Sequence, residues 1–554
     1  MLITTVITNG FLVPFGLGIG DGDSAIQPLW AEQLRQGLWS PFPFQQSYGG
    51  TFLSSIRAFF IILFEPLLKL FFDSSRANVA LHMFFSYVAV PLSVGVATFF
   101  TASRYASRVG AILAALVASV SYHSWIYLFG FDYYFALLLI AFIYLFIRAN
   151  LVNPFFQLSF TNLFVVGFFT GFSLYTFRPA LIFATVFFIP FHLINFELKR
   201  FFLPQDRLER VLLAVFFILL TIQVQLWLFG SDLGFWSLKR VRLHADSNFR
   251  LLIIAALLVW AKSKIRDIKA DHLKRAGLVF LGFFVGFAPE LIYYFQIGRF
   301  VGANWITSSV EQSVQTMFQL PHSFFEMMVG EDHLTVYQGL DRNFPILLFI
   351  LSLYALFRKT IADKKFLPVF FAGLLAVVAY LRIFMTGPAE TRYLFPLFPV
   401  LLIAIAVFWD WVRRYKTWPL GLALVLLSVG YQVHQRYYLR QDVIETNRVE
   451  KIWKVIEEFR KADVPVVLTD TYNDGNPFTL AAGQKPYFAC WYSVWGPPQA
   501  VELAKTAPRV GILSKNDMEH KEQVLELYDR KLRLVPYAKV EEYRLFIATP
   551  ESGV

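Results

Sequence analysis

The sequence predicts a polytopic α-helical membrane protein with a small α/β domain at its C-terminal end. Hydrophobic residues make up 56% of the 554 positions, and 62 of these are phenylalanine. Such a composition leaves too few polar side chains to coat a water-soluble globule of this length. Apolar runs recur as far as residue 434, after which the composition becomes mixed and charged. We therefore predict a membrane part at residues 1–434 and an outer domain at residues 441–554.

The membrane part contains about thirteen apolar runs, since roughly 20 apolar residues are needed to cross about 30 Å of hydrocarbon. These runs are residues 2–19, 79–101, 111–129, 133–147, 162–175, 179–196, 211–229, 251–261, 278–295, 345–357, 367–384, 394–412 and 419–433. Several of them are shorter than a full span, so the predicted boundaries are approximate.

The charge pattern orients the helices. The net charge is +11, and the basic residues cluster in five connections on alternate turns between apolar runs. This is the pattern that marks the cytoplasmic side of a membrane protein, and it accounts for the charge without a nucleic-acid partner. The five connections hold Arg104 and Arg108; Lys199, Arg200, Arg207 and Arg210; Lys262, Lys264, Arg266, Lys269, Lys274 and Arg275; Arg358, Lys359, Lys364 and Lys365; and Arg413, Arg414 and Lys416.

One apolar stretch, residues 51–72, is predicted to lie along the membrane surface or re-enter it rather than cross. If it crossed, all five basic connections would lie outside. Arg57, Glu65 and Lys69 within it also argue against a lipid-facing span. The first outer loop, residues 20–75, then lies on the extracytoplasmic side together with loops 231–250 and 296–344 and the outer domain.

The outer domain shows alternating helical and strand patterns. Apolar residues recur at helical spacing between residues 449 and 459, and residues 465–469, 509–513 and 543–548 read as short strands. A further helical pattern covers residues 516–529. The chain has a single cysteine, Cys490, which excludes an intramolecular disulfide and a cysteine-rich metal site. We therefore predict a small α/β domain.

Two acids, Asp21 and Asp23, directly follow the first apolar run in GIGDGDSAIQPLWAEQLRQG. They could cap the helix that follows, or they could act on a lipid-borne substrate. The loop holding them resembles the first outer loop of the GT-C superfamily of membrane glycosyltransferases, which includes the protein O-mannosyltransferases and the aminoarabinose transferase that acts on lipid A. Asp23 stands at the family's distance before Gly37, and Ser47-Tyr48-Gly49-Gly50-Thr51 resembles the YGGT form of bacterial members.

Three further stretches resemble the same proteins: GFSLYTFRPALIF, GFFVGFAPELIYYF and ETRYLFPLFPVLLIAIAVF. The sequence departs from the family at one position, because the acid that usually follows the first Asp is Ser24 here. The resemblance implies a GT-C fold and an inverting transfer of a sugar from a polyprenyl-phosphate donor to a glycan, lipid or protein acceptor at the outer face of a bacterial cytoplasmic membrane. The alternative is a transporter or flippase of lipid-linked sugars.

The chemistry that the resemblance implies needs a base and an anion-binding group. We expect Asp23 to be the base, with Asp21 and Asp132 as further catalytic carboxylates. Cations on the outer side are expected to bind the lipid phosphate, although each could instead contact lipid headgroups. They are Lys239, Arg240, Arg242, Arg299, Arg382 and Arg392, and the last of these lies in the family-like RYLFP context.

Three other expectations concern binding groups. Tyr48 and Trp39 are expected to touch sugar or lipid through their rings. Asp23, His123 and Asp132 have donor atoms that suit Mg²⁺, Mn²⁺ or Zn²⁺, but their spacing does not require a metal, and Asp132 could simply cap a helix. Glu290, near the outer end of a span, could pair with Arg299.

Overall fold

The structure of the protein is a computed structural model. It describes residues 26–38, 52–70, 74–121, 132–176, 178–188, 207–229, 251–252, 254–255, 270–297, 317–318, 320–324, 339–382, 391–446, 448–483, 485–491, 498–515, 519 and 521–550.

The described membrane part is helical throughout. Its helices are α1 (Ile26–Arg35), α2 (Phe52–Leu68), α3 (Ser74–Phe84), α4 (Val90–Ala102), α5 (Arg108–Val120), α6 (Asp132–Arg148), α7 (Pro154–Gln157), α8 (Phe160–Thr176), α9 (Leu181–Phe188), α10 (Arg207–Phe229), α11 (Ala270–Ile297), α12 (Asn343–Ala362), α13 (Leu367–Arg382), α14 (Phe398–Val412) and α15 (Trp418–Thr446). A π-helical turn, Phe85–Ala89, joins α3 to α4, and a 3₁₀ segment, Thr391–Leu397, leads into α14.

Several of these helices are long enough to span a bilayer, as expected for a multi-pass membrane protein. Within the described residues, five helical stretches are long and apolar enough to cross, and shorter apolar helices accompany them. The five are Ala77–Ala102, Ala270–Gln296, Leu340–Ala362, Lys364–Leu381 and Leu394–Val412. Each contains or overlaps a predicted span. The predicted total of about thirteen includes runs outside the described residues, such as 2–19, and stays a prediction.

Helix α14 forms the centre of the helical bundle. Its span is 89% buried, and it packs against α5 and α12. Helix α14 comes close to α5 because Gly110 of α5 faces it. A Cβ added to Gly110 would lie 2.6 Å from the backbone oxygen of Ala406 on α14. At the end of α14, Asp410 accepts a hydrogen bond of 2.8 Å from the backbone N–H of Ser107, the N-cap residue of α5.

Helices α8 and α11 cross at a close glycine-mediated contact. A Cβ on Gly167 or Gly171 of α8 would lie 2.1 or 2.0 Å from a backbone oxygen of α11. A Cβ on Gly282 or Gly286 of α11 would lie 2.1 Å from a backbone oxygen of α8. Both helices therefore place a small-xxx-small pair at the crossing, where only glycine lets two backbones come so close.

The outer domain is a mixed six-stranded sheet with helices packed against it. Its elements are α16 (Arg448–Lys461), β1 (Val466–Thr469), α17 (Tyr472–Ala481), β2 (Tyr487–Cys490), α18 (Pro498–Thr506), β3 (Val510–Ser514), β4 (Gln523–Leu527), β5 (Arg530–Val540) and β6 (Tyr543–Pro550). The strand order is β2-β1-β3-β6-β5-β4. In this order, β2, β1 and β3 pair in parallel, and β3, β6, β5 and β4 pair antiparallel. The predicted helix near residues 449–459 and the three predicted strands are confirmed as α16, β1, β3 and β6.

The helix predicted over residues 516–529 is wrong. The described part of that region contains strand β4, which pairs with β5 through a two-residue turn at Tyr528 and Asp529. Both turn residues have left-handed backbones, with φ of 51° and 59°, as a type I′ hairpin requires. The residues of β4 are good helix formers, but their burial alternates with a period of two. Pairing with β5 therefore overrides the local propensity.

The outer domain packs directly on the membrane part. Val79 and Met83 of α3 and Tyr87 of the π-helical turn share one buried cluster with residues of α16, α17 and β2, including Phe459 and Phe478. The outer domain therefore covers the N-terminal part of the Ala77–Ala102 helix.

Candidate active site in the first outer loop

Helix α2 carries charged residues on the face that it turns toward the protein. Arg57 is fully buried, and Glu65 is 8% exposed, two helical turns further along. The opposite face exposes Phe59, Leu63 and other large apolar side chains. A helix with one packed polar face and one open apolar face has the pattern of a membrane-surface helix. That residues 51–72 lie along the membrane surface stays a prediction.

A mostly buried network of charged and polar side chains joins α1, α2 and α3. In α1, Arg35 donates hydrogen bonds of 2.8 Å to both carboxylate oxygens of Glu32. The other guanidinium nitrogen of Arg35 pairs with Glu65 of α2, whose second oxygen lies 2.8 Å from the ammonium of Lys69. On α3, Nε2 of His82 lies 3.0 Å from Oε1 of Glu32. Ion pairs thus join α1 to α2, and a hydrogen bond from His82 joins α3 to α1.

The tautomer of His82 follows from its partner. An ionised carboxylate only accepts hydrogen bonds, so Nε2 of His82 must carry the proton that it shares with Glu32. The imidazole is fully buried, and within the described part of the chain Nδ1 has no hydrogen-bond partner. The His82–Glu32 pair is therefore a directional contact between α3 and α1.

Arg57 holds the π-helical turn. Its guanidinium donates to Oγ of Ser86 at 3.0 Å and to the backbone oxygen of His82 at 3.3 Å, and it lies 4.7 Å from the centre of the Phe85 ring. A π-helical turn breaks the regular backbone pattern of a helix and is frequent at functional sites. Through Arg57, helix α2 is tied to the same stretch of chain that holds His82.

The pKa of Glu32 shows that the network favours the ionised carboxylate. Burial by itself would raise the pKa of Glu32, but the hydrogen bonds and charges of His82 and Arg35 outweigh it and lower the pKa below its ordinary value of 4.5. Glu32 is therefore a permanent negative charge near neutral pH, which keeps Arg35 and His82 in place.

Helix α1 is also tied to the outer domain. Nε2 of Gln33, 3% exposed, lies 3.3 Å from Oε1 of Gln499 at the start of α18. Helix α17 also contacts α1 and α3. Helix α1 is consequently held from one side by the membrane part and from the other by the outer domain.

Most of the predicted site residues lie outside the described residues. These are Asp21, Asp23, Trp39, Tyr48, His123, Lys239, Arg240, Arg242 and Arg299. Asp23 is three positions before the first residue of α1. Glu290 is buried in α11 at 1% exposure, but its predicted partner Arg299 lies outside the described part.

The backbone positions of three predicted residues can be placed. Asp132 is the first residue of α6, Arg382 the last of α13, and Arg392 the second of the 3₁₀ segment before α14. Tyr134 and Phe395, which closely follow Asp132 and Arg392, contact each other with ring centres 5.0 Å apart. Asp132 and Arg392 are thus brought to the same end of the bundle.

The end of the bundle that holds Asp132 and Arg392 also carries α3. At the opposite ends of their helices, Thr101 and Tyr105 donate to backbone oxygens of Phe142 and Leu145, at 3.3 and 2.7 Å. Helices α4 and α6 therefore run in the same direction, and Asp132 lies toward the end of the bundle where α3 and the π-helical turn are found.

The described residues contain no candidate metal site. Among them, no group of three or more His, Cys, Asp or Glu side chains could hold a metal ion. Of the predicted set, Asp23 and His123 lie outside the described part, and only the backbone of Asp132 is described.

Sequence reasoning missed the roles of Glu32, Arg35 and His82. A signal for the first two is their i, i+3 spacing within one short amphipathic helix. A signal for α2 is that Arg57, Glu65 and Lys69 are spaced by multiples of four and so share one helical face. Nothing local indicates that His82 meets Glu32, because the two residues are 50 positions apart.

No protein-family model matches the chain, and no curated protein sequence matches it. Several solved structures are similar over most of its length. One is ArnT from Cupriavidus metallidurans bound to undecaprenyl phosphate, with 10% identity, 98% of this chain and 97% of that chain covered, and a TM-score of 0.47. Another is the Archaeoglobus fulgidus oligosaccharyltransferase in complex with zinc and sulfate, with 12% identity, 93% and 67% coverage, and a TM-score of 0.46.

Both likenesses extend over most of this chain. TM-scores below 0.5 leave this finding at the level of a resemblance.

Proposed function

We propose that this protein is an inverting glycosyltransferase that moves a sugar from a polyprenyl-phosphate donor to an acceptor at the outer face of the bacterial cytoplasmic membrane. The sequence support is the ordered set of motifs, from Asp23 and Ser47-Tyr48-Gly49-Gly50-Thr51 in the first outer loop to Arg392 before α14. The acceptor is a glycan, a lipid or a protein.

The observation that carries the proposal is the fixed position of α1 directly after Asp23. An ion pair between Arg35 and Glu65 holds α1 to α2, and a hydrogen bond between Glu32 and His82 holds it to α3. Gln33 contacts Gln499 of the outer domain. A catalytic carboxylate must be held close to its working position, because small displacements cost large factors in rate. A helix anchored on two sides is a suitable support for a base three residues ahead of it.

In the proposed reaction the acceptor hydroxyl or amine attacks the anomeric carbon. Asp23 takes the proton of the attacking group, the bond between the anomeric carbon and the phosphate oxygen breaks, and polyprenyl phosphate leaves with its charge. Arg392 and Arg382, together with Lys239, Arg240, Arg242 and Arg299, are proposed to bind the departing phosphate. Asp132 is proposed to line the same site, and Tyr48 and Trp39 to stack on sugar or lipid.

The test is sugar transfer by the purified protein in lipid, with a panel of radiolabelled polyprenyl-phosphate sugars. We expect label to move from one donor to an acceptor or to water, and Asp23→Asn to lower the rate about 10²- to 10⁴-fold, as loss of a general base does. The matched control is Glu526→Gln, which removes an exposed carboxylate from β4 and should leave the rate unchanged.

The alternative function, a transporter or flippase of lipid-linked sugars, predicts a different result. Such a protein would move labelled lipid across vesicle membranes without breaking the sugar–phosphate bond, and Asp23→Asn would leave that movement intact. Translocation without any transfer, using the same donor panel, would therefore reject the glycosyltransferase.

A further inference from the structure

Two half-buried lysines lie at the basic end of the helical bundle, opposite the end that carries α3. Lys359 is on the last turn of α12, and Lys365 is in the 3₁₀ turn Lys364–Phe366 that leads into α13. Their neighbours Arg358 and Lys364 are exposed. The fold therefore partly buries these two lysines and leaves their basic neighbours exposed.

Both lysines lie next to a pair of aromatic rings. The rings of Tyr105 and Phe366 are buried, with centres 5.8 Å apart. The ammonium of Lys365 lies 5.7 Å from the centre of the Tyr105 ring, and that of Lys359 lies 5.8 Å from the centre of the Phe366 ring. Each cation thus rests near an aromatic ring at a distance where cation–π attraction acts.

A third cation belongs to the same group. Arg104 directly precedes Tyr105 in the chain, and its guanidinium lies 4.3 Å from the centre of the Phe146 ring on α6. Asp363 is exposed, and its Oδ1 accepts a hydrogen bond of 3.0 Å from the backbone N–H of Lys365. Within the described part of the chain, the three cations form no ion pair with a carboxylate. The group therefore has an excess of positive charge.

An exposed apolar stripe on α12 ends at the turn that holds Lys365. Tyr354, Phe357 and Ile361 of α12 are 46%, 47% and 70% exposed and follow one helical face up to the turn that holds Lys365. The ring of Phe357 also contacts that of Phe370 on α13 at 5.9 Å. A cation at the end of an apolar face is the arrangement that matches an anionic headgroup joined to an acyl chain.

We propose that Arg104, Lys359 and Lys365 form a binding site for the phosphate of an anionic phospholipid whose acyl chain lies along the exposed face of α12. The phosphodiester oxygens accept charge-assisted hydrogen bonds from the lysines and the guanidinium, which offsets their mutual repulsion. Bound in this way, the lipid joins the α4–α5 turn to the α12–α13 turn and stabilises the bundle. This site is separate from the proposed reaction and does not depend on it.

The test is lipid binding by the full-length protein in neutral detergent, followed by native mass spectrometry and by the thermal unfolding midpoint. Phosphatidylglycerol is titrated into wild type, Lys359→Gln, Lys365→Gln and the double variant. The control is Lys364→Gln, which removes the same charge from the exposed side of the same turn. Phosphatidylcholine and inorganic phosphate are run in parallel.

We expect phosphatidylglycerol to bind wild type and the Lys364→Gln control alike, and each half-buried lysine to account for about a five-fold change in affinity. Lys365→Arg should retain binding, which separates loss of the cation from loss of fold. The proposal is overturned if the control loses as much affinity as Lys365→Gln, if the double variant binds like wild type, or if inorganic phosphate alone reproduces the stabilisation.

Discussion

His82 and Glu32 are joined by a 3.0 Å contact between Nε2 and Oε1, across 50 positions of the chain. The imidazole is fully buried, and the carboxylate also accepts both hydrogen bonds from Arg35. The pair fixes α1, the helix that follows Asp23, to α3, which the outer domain covers.

Replacing Glu32 by Ala should strongly destabilise the protein. His82 and Arg35 would each lose a buried acceptor, and each such loss costs about 1–3 kcal/mol. Thermal unfolding in detergent would measure this as a lowered midpoint. The matched control Glu526→Ala removes an exposed carboxylate from β4 and should change the midpoint little. Equal midpoints for the two variants would show that the network is not stabilising.

The same network predicts how stability changes with pH. The folded-state pKa of Glu32 lies below its ordinary value of 4.5, so ionised Glu32 contributes stability above that pH and loses it as the pH falls through the folded-state value. We expect the difference in unfolding midpoint between wild type and Glu32→Gln to be constant near neutral pH and to shrink below about pH 4.5. A difference that persists unchanged to lower pH would contradict this assignment.

Gly171 should tolerate no larger residue. A Cβ there would lie 2.0 Å from the backbone oxygen of Phe283, so Gly171→Ala must push α8 and α11 apart. Overpacking of this kind costs about 1–3 kcal/mol. Gly277 on α11 is the control, because a Cβ there meets nothing within 4 Å. We expect Gly171→Ala to lower the unfolding midpoint and Gly277→Ala to leave it equal or higher, since alanine favours helix.

Much of the fold follows from local sequence patterns. Long apolar runs specify helices, and each of the five described stretches that could cross a membrane contains or overlaps a predicted run. Short β-branched runs specified β1, β3 and β6. The failure at β4 has a local cause, because its residues favour a helix and only the partner strand β5 makes the extended form stable.

The candidate site was predicted only in part. The motif around Asp23 predicts a site in the first outer loop, and Arg57, Glu65 and Lys69 argue against a lipid-facing span at residues 51–72. The contacts of those charges could not be read from the sequence, because His82 and Gln499 reach α1 through chain folding and not through sequence spacing.

The sequence by itself determined that this chain belongs in a membrane, where the five long apolar helices lie, which connections are basic and which motifs resemble GT-C glycosyltransferases. These properties depend on composition and short-range periodicity, which each segment carries alone. Only the tertiary structure decided that Glu32 meets His82, that the glycines of α8 and α11 coincide, and that Lys359 and Lys365 share one aromatic pair. Such contacts join distant segments, and their free energy depends on burial and geometry that exist only after the helices have packed.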